Sequence, residues 1–249
     1  MLAIIGGSGF AKLAGLSEAR REVVRTPYGD PSCALTHGEL DGHPIVFLAR
    51  HGYGHTIAPH GINYRANIWA MQRVGVTDVV AVATVGGIRA DCQAGALVVP
   101  DQIVDYTWGR GHTFFESADD SVAHPVTHID FTMPYDAGVR RRVLEAARRA
   151  GEAVIDGAVY GCTQGPRLET AAEIARLERD GCDLVGMTGM PEAALAREAG
   201  LAYAALCVVA NQAAGRGDSS AAISLEAIRA VLEKTMGRVR GILSEVARG

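Results

Sequence analysis

DVVAVATV (Asp78–Val85), running on into GGI (Gly86–Ile88), is rich in β-branched residues and carries its single charge at the start. It lacks the apolar–polar alternation of a half-exposed strand, so it reads as a strand buried on both faces. Strands of that kind belong to sheets covered by helices. The same signature recurs on either side, in LAII (Leu2–Ile5), IVFLA (Ile45–Ala49), ALVVPDQIVDY (Ala96–Tyr106), DLVGM (Asp183–Met187) and AYAALCVVA (Ala202–Ala210). Helical patterns alternate with these runs. Asp136 is placed to N-cap a helix whose Val139, Val143, Leu144 and Ala147 share one face. Glu169 to Asp180 and Pro191 to Glu198 are further helix candidates, the second opening on a proline that a first helical turn accepts. From Ser224 onward, Ile228, Val231, Leu232, Thr235, Val239, Ile242, Leu243 and Val246 fall on one stripe and predict a closing helix. Strands alternating with helices, without repeats or a linker, predict one α/β domain over residues 1–249.

The chain has 249 residues, near the upper size at which one core still grows as a single unit. Its apolar fraction of 48% and charged fraction of 21% are those of a globular protein, and its net charge of −4 offers no bulk attraction to nucleic acid or acidic membrane. A small-molecule partner is expected, with no nucleic acid and no membrane. The start, MLAIIGGSGF, has too short an apolar run for a secretory signal, and no run approaches the ~20 apolar residues of a spanning helix. The five cysteines are scattered and form no CxxC pair. They read as reduced core thiols of a cytoplasmic protein, not as a disulfide frame or a zinc site.

Chemistry-bearing residues gather at strand ends, where α/β proteins assemble their sites. IIGGSGF (Ile4–Phe10) follows the first strand but matches neither the dinucleotide nor the phosphate-loop template. It is a glycine turn with the Ser8 hydroxyl, equally readable as an anion nest or as a tight structural turn. FLARHGYGHTIAPH (Phe47–His60) contains His51 and His55 at the spacing of a helical metal pair, yet glycines and Pro59 argue against a helix and no acidic residue lies within the stretch. Arg50 and His51 end a strand, where a guanidinium fork and an imidazole donor suit a dianion. An anion is therefore the first reading and a metal a distant second. Thr84 and Val85, then Met187 and Thr188, end two further strands with hydroxyls or backbone N–H groups. With Ser8 and Arg50 they converge on one phosphate-sized target.

These motifs in this order resemble the trimeric purine nucleoside phosphorylases, and more closely the methylthioadenosine phosphorylase branch. The likeness covers almost the whole chain: IIGGSG, ARHGYGHTIAPHGINYRANIWA, TVGGIR, THIDFTMPYD, TQGPRLET, VGMTGMPEAALARE and the strand ending at Asn211. It implies a mixed, twisted sheet curled toward a barrel and flanked by helices. It also implies a homotrimer with sites at subunit interfaces and inorganic phosphate as co-substrate, with no cofactor and no metal. By motif position, phosphate contacts fall on Ser8, Arg50, His51, Thr84, Val85 and Thr188. His55 corresponds to a histidine near phosphate and ribose, and Met187 to a ribose-packing methionine. The base position falls on Leu168, Glu169, Asn211 and Ala213. His128 corresponds to a residue lent by the neighbouring subunit.

The departures from the branch sharpen the expectation. Methylthioadenosine phosphorylases carry serine and aspartate where this chain has Glu169 and Asn211, the pair found in phosphorylases of inosine and guanosine. A 6-oxopurine has a proton on N1 that a Glu169 carboxylate accepts, whereas a 6-aminopurine would face it with a second acceptor. Asn211 can donate to N7 as the purine leaves with negative charge, so Asn211, Arg50 and His51 are the expected catalytic residues. Where oxopurine enzymes place a histidine near the 5′-hydroxyl, this chain offers Ile223 or Leu225, with Leu225 favoured. An apolar side chain there welcomes a methylthio group and leaves a hydroxyl unpaired. The expected reaction is phosphate-dependent cleavage of a 6-oxopurine nucleoside, S-methyl-5′-thioinosine, to hypoxanthine and 5-methylthioribose 1-phosphate. The rival readings are a general inosine and guanosine phosphorylase, a hydrolytic nucleosidase, a zinc hydrolase on His51 and His55, and a nucleoside- or phosphate-binding module without turnover.

Overall fold

The computed structural model describes residues 1–10, 12–115, 127–220 and 222–249. In chain order the strands are β1 (Leu2–Gly6), β2 (Leu16–Glu22), β3 (Leu35–Leu40), β4 (His43–Ala49), β5 (Asp78–Gly87), β6 (Leu97–Val99), β7 (Gln102–Asp105), β8 (Ile155–Asp156), β9 (Val159–Cys162), β10 (Leu184–Gly186) and β11 (Ala202–Gln212). The helices are α1 (Tyr64–Arg73), α2 (Ala137–Arg149), α3 (Ala171–Arg179), α4 (Gly189–Glu198) and α5 (Leu225–Arg248).

The run at Asp78 is the centre of a mixed sheet. β5 pairs in parallel with β11 along its length. Its other side is shared between β1, parallel over Asp78–Ala81, and β10, antiparallel at Gly86–Gly87. β4 extends the sheet from β1, while β9 and then β7 extend it from β10, all in parallel. Two parallel groups of opposite sense therefore meet, and their carboxyl ends overlap beside Val85 and Gly86. Glycine is required at this junction: a Cβ on Gly87 would collide with the Cys92 carbonyl, and one on Gly186 with the Tyr160 hydroxyl.

Alternate residues of the central strands feed two cores. Ala3, Ile5, Leu48 and Ala81 face one side, which α1 and α4 cover with Ile68, Met71, Ala193 and Leu195. Leu2, Ile4, Phe47 and Val80 face the other, covered by α2 and α5 through Val143, Leu232, Val239 and Ile242. Each of the larger of these side chains, Leu, Ile, Val, Phe or Met, contributes about 1.5–3 kcal/mol on burial, which is why these strands read as unbroken apolar runs. The cysteines are free, four of them buried as small hydrophobes. Among the described residues no helix is long and apolar enough to cross a membrane.

Local expectations were met at the caps and revised at the boundaries. Asp136 accepts from the Val139 N–H and Ser224 from the Ala227 N–H, as N-caps do. The run Ala96–Tyr106 is two strands, because Pro100 has no N–H to give a ladder, and β6 and β7 then join different neighbours. The helix expected from Glu169 begins at Ala171, with Thr170 and Glu173 forming a capping box. Glu169 is thereby left outside the helix. α4 begins at Gly189, two residues before Pro191, with a break in its helical backbone at Met190.

Candidate active site

A cleft of about 790 Å³ opens where the carboxyl ends of the two parallel groups meet. The turn after β1 brings Ser8, the residues after β4 bring Arg50 and His51, and the end of β5 brings Thr84 and Val85. The loop after β9 supplies Leu168 and Glu169, the loop after β10 Met187 and Thr188, and the end of β11 Asn211 and Ala213. The structure thus brings together eleven of the expected residues, from segments spread along most of the chain. His55 lies just outside the wall, with its Nε2 3.0 Å from the Ser8 Oγ. His128 is exposed and does not line this chain's own cleft.

Leu225 does not belong to the cleft. It opens α5 and is 62% exposed, because Ser224 caps the helix and turns the next side chain to solvent. Ile223, one residue before the cap, lines the wall with Ile228 from the first turns of α5. The apolar end of the cleft is therefore made by these two isoleucines.

In the same cleft Arg50 is 1% exposed and its fork is already held. Nε and Nη2 donate to the two oxygens of Glu192 at 2.6 and 2.7 Å, and Nη1 donates to the Val82 carbonyl at 3.0 Å. The bidentate grip expected on an anion is spent on Glu192, which also accepts from the Tyr203 hydroxyl at 2.8 Å. What remains for a ligand is the second N–H on Nη1 and on Nη2. Burial opposes the Arg50 charge, and the adjacent Glu192 carboxylate overrides it, leaving the guanidinium pKa above its ordinary value. Glu192 was missed from sequence. Its signal is a lone acid among the apolar residues of PEAALA, since a buried acid requires a cationic partner.

His51 also differs from its expected role. Its Nδ1 lies 2.8 Å from the Ile57 carbonyl, which can only accept, so Nδ1 carries the proton. Burial first, and the Arg50 charge second, push its pKa down to about 4. At neutral pH the ring is neutral and Nε2 is an acceptor, not the imidazole donor expected of it. His55, in the left-handed backbone region at φ 51°, sets its ring at a 41° tilt to that of His51, with centroids 4.7 Å apart. Among the described residues no cluster of three or more His, Cys, Asp or Glu side chains is arranged to hold a metal. Thr84 donates to the Ser8 carbonyl at 3.0 Å, tying the β1 turn to β5. Thr188 stands at the N-terminus of α4 with no capping bond from its side chain.

At the base end the Thr163 hydroxyl donates to Glu169 Oε1 at 2.6 Å, a support that sequence reading did not anticipate. A shift of register between Val209 and Asn211 re-aims the end of β11 toward the cleft. One amide hydrogen of Asn211 goes to the Gln212 carbonyl at 2.6 Å, and its second is left over. Gly165, at φ 60°, makes room for the Met187 thioether, which a Cβ there would strike. The cleft thus offers hydroxyls, cationic N–H groups and a neutral imidazole, together with an acid–amide pair and an apolar wall.

The sequence profile of the phosphorylase superfamily matches residues 1–248. The chain is 52% identical to the probable S-methyl-5′-thioinosine phosphorylase of Xanthomonas campestris pv. campestris, over 100% of this chain and 97% of that protein. It is 41% identical to the 6-oxopurine nucleoside phosphorylase of Pyrococcus furiosus, over 98% and 91% of the two chains. Among solved structures, methylthioadenosine phosphorylase from Schistosoma mansoni in complex with adenine aligns with a TM-score of 0.93 at 32% identity, covering 99% of this chain and 90% of that one. The expected resemblance holds in sequence and in fold along the whole length, and the chain belongs to the phosphorylase superfamily.

Proposed function

We propose that this protein cleaves the N-glycosidic bond of S-methyl-5′-thioinosine with inorganic phosphate, giving hypoxanthine and 5-methylthioribose 1-phosphate. The observation that carries the reading is the pairing, in one cleft, of Glu169 and Asn211 with the apolar wall of Ile223 and Ile228. The names of the relatives support it, since the Xanthomonas protein is named for this nucleoside and the Pyrococcus protein for 6-oxopurine nucleosides.

Phosphate lies among the Ser8, Thr84 and Thr188 hydroxyls, the Val85 backbone and the outer N–H groups of Arg50. As HPO₄²⁻ it carries one O–H, which the neutral His51 Nε2 accepts. A phosphate oxygen attacks C1′ as the bond from C1′ to purine N9 breaks, and the bonding pair leaves with the purine. The sugar becomes cation-like in passing and the nearby dianion stabilises it. Glu169, held by Thr163, accepts a hydrogen bond from N1–H of a 6-oxopurine, while the spare Asn211 N–H donates to N7 and stabilises the leaving base. Met187 packs the ribose, and Ile223 with Ile228 encloses the methylthio group. Leu168 and Ala213 complete the base wall, and His55 supports Ser8 beside the sugar. No step draws on a metal or an organic cofactor. We further read the active form as a cytoplasmic homotrimer in which His128 completes a neighbour's cleft, so light scattering of an active sample should give three chains, and a fully active monomer would refute it.

The test is kcat/KM for methylthioinosine, methylthioadenosine, inosine and adenosine, with and without phosphate. Turnover should require phosphate. Methylthioinosine should exceed methylthioadenosine by ~10⁴-fold, because an unpaired buried polar group is strongly discriminating. It should exceed inosine by the ~10- to 200-fold that an apolar fit supplies. Equal use of both bases would overturn the role of Glu169 and Asn211. Inosine as the best substrate would overturn the apolar pocket alone.

A further inference from the structure

Arg110 sits on the chain leaving β7, is 8% exposed, and does not line the cleft. Its guanidinium makes six hydrogen bonds, all to neutral acceptors. Nη1 donates to the Met187 and Met190 carbonyls at 2.8 and 2.6 Å and to the Tyr64 hydroxyl at 3.2 Å. Nη2 donates to the Thr163 and Gln164 carbonyls at 3.3 and 2.9 Å, and Nε to the Gln164 side-chain oxygen at 3.1 Å. A buried cation is costly unless its donors are satisfied. Here four of the six bonds go to backbone carbonyls of the segments after β9 and β10. One follows β10 and carries Met187 and Thr188. The other follows β9 and carries Thr163, whose hydroxyl holds Glu169. A rigid, planar five-donor fork can fix two backbone segments at one separation, which the single ammonium of a lysine cannot.

We propose that Arg110 is a positioning residue for base selection: it locks the loop after β9 to the loop after β10, setting Glu169 at a fixed distance from Met187. It touches no ligand itself. The inference rests on the assignment of Glu169 to the base and Met187 to the ribose made above. At the phosphate end Arg50 is also tied to the Val82 carbonyl of β5, and Thr84 to the β1 turn, both independently of Arg110. Loosening the Arg110 junction therefore acts chiefly on the nucleoside.

The experiment compares wild type, Arg110→Lys and Arg110→Ala, the last with and without guanidinium at sub-denaturing concentration. The readouts are KM for phosphate, kcat and KM for the nucleosides, and the preference for the 6-oxo over the 6-amino base. In both variants the base preference should fall by about tenfold or more, as displacement of a recognition group does, while KM for phosphate stays within about twofold. Guanidinium should restore the preference in Arg110→Ala by filling the vacated fork. A folded Arg110→Lys with unchanged base preference would overturn the proposal. So would an equal loss for phosphate and nucleoside without guanidinium rescue, which marks a purely structural role. Should Arg110→Ala fail to fold, Arg110→Lys decides, since it keeps the charge and reaches only one loop. A wild type that does not discriminate between bases refutes the Glu169 and Asn211 assignment instead. Arg110 is then judged on nucleoside KM against phosphate KM, a split that does not depend on that assignment.

Discussion

Replacing Glu192 with leucine removes one half of an ion pair whose two side chains are each 1% exposed. Arg50 cannot shed its proton, so its charge would stay in the interior with, among the described residues, only the Val82 carbonyl as side-chain partner. Breaking a buried pair in this way costs about 3–5 kcal/mol. The Tyr203 hydroxyl loses its acceptor at the same time, worth about 1 kcal/mol more. For a chain of this size each kcal/mol moves the melting temperature by about 2–4 °C, so Glu192→Leu should melt roughly 8–24 °C lower. Arg50→Met combined with Glu192→Leu removes both charges and should recover most of that loss, because an apolar pair of similar volume is often neutral or stabilising. Function should not follow stability. The double variant lacks the outer N–H groups of Arg50 and should lose at least about 10²-fold in kcat/KM for phosphate, since charge-assisted hydrogen bonds contribute about 1.5–3 kcal/mol each. Urea unfolding and calorimetry of the two single variants and the double variant close the cycle, and phosphate saturation curves give the activity arm. A Glu192→Leu protein within 1 kcal/mol of wild type, or a double variant no more stable than the worse single one, would refute the reasoning.

His51 sets an acid limit: the unfolded chain binds its proton near pH 6.5 and the fold only near pH 4, so stability is full above pH 6.5 and declines by roughly 3 kcal/mol as pH falls to 4. Urea midpoints across that window should show a shallower decline for His51→Asn, and parallel curves would disprove the assignment. Glu169→Ser together with Asn211→Asp should move the kcat/KM preference toward 6-amino nucleosides, because a serine no longer sets an acceptor against N1 and a protonated Asp can still donate to N7; an undiminished 6-oxo preference would count against both roles. Ile223→Ser should raise inosine relative to methylthioinosine by about 10-fold or more, whereas Leu225→Ser, at an exposed position, should leave that ratio unchanged, and the reverse pattern would restore Leu225 to the pocket.

Legibility in sequence followed burial. β5 and β11 were readable because both faces enter the cores and every residue is under the same apolar demand. β2, LSEARRE, was not, because it is an edge strand whose side chains are mostly exposed. α1 carries polar residues through its first turns and owes its start to the Asn63 cap, so its apolar period is short. In the cleft, strand-end residues were found because topology forces them together. Glu192 was not, because its partner lies 142 positions away and only the packed fold juxtaposes them. The His51 proton was misplaced because its tautomer is dictated by one carbonyl, at Ile57, that a turn carries under the ring. The choice between Ile223 and Leu225 turned on where Ser224 starts a helix, a matter of one residue.

The meeting of two oppositely running strand groups has an evolutionary consequence. Ser8, Arg50 and His51 hang from β1 and β4, while Glu169 and Met187 hang from loops after β9 and β10. On the proposed assignment, substitutions at Glu169 and Met187 retune which nucleoside is admitted while the β1 turn keeps its own tie to Thr84. A lineage can then exchange substrates while its reaction is inherited intact. The relatives fit such a history: the superfamily carries names for methylthioinosine, for 6-oxopurine nucleosides and for methylthioadenosine.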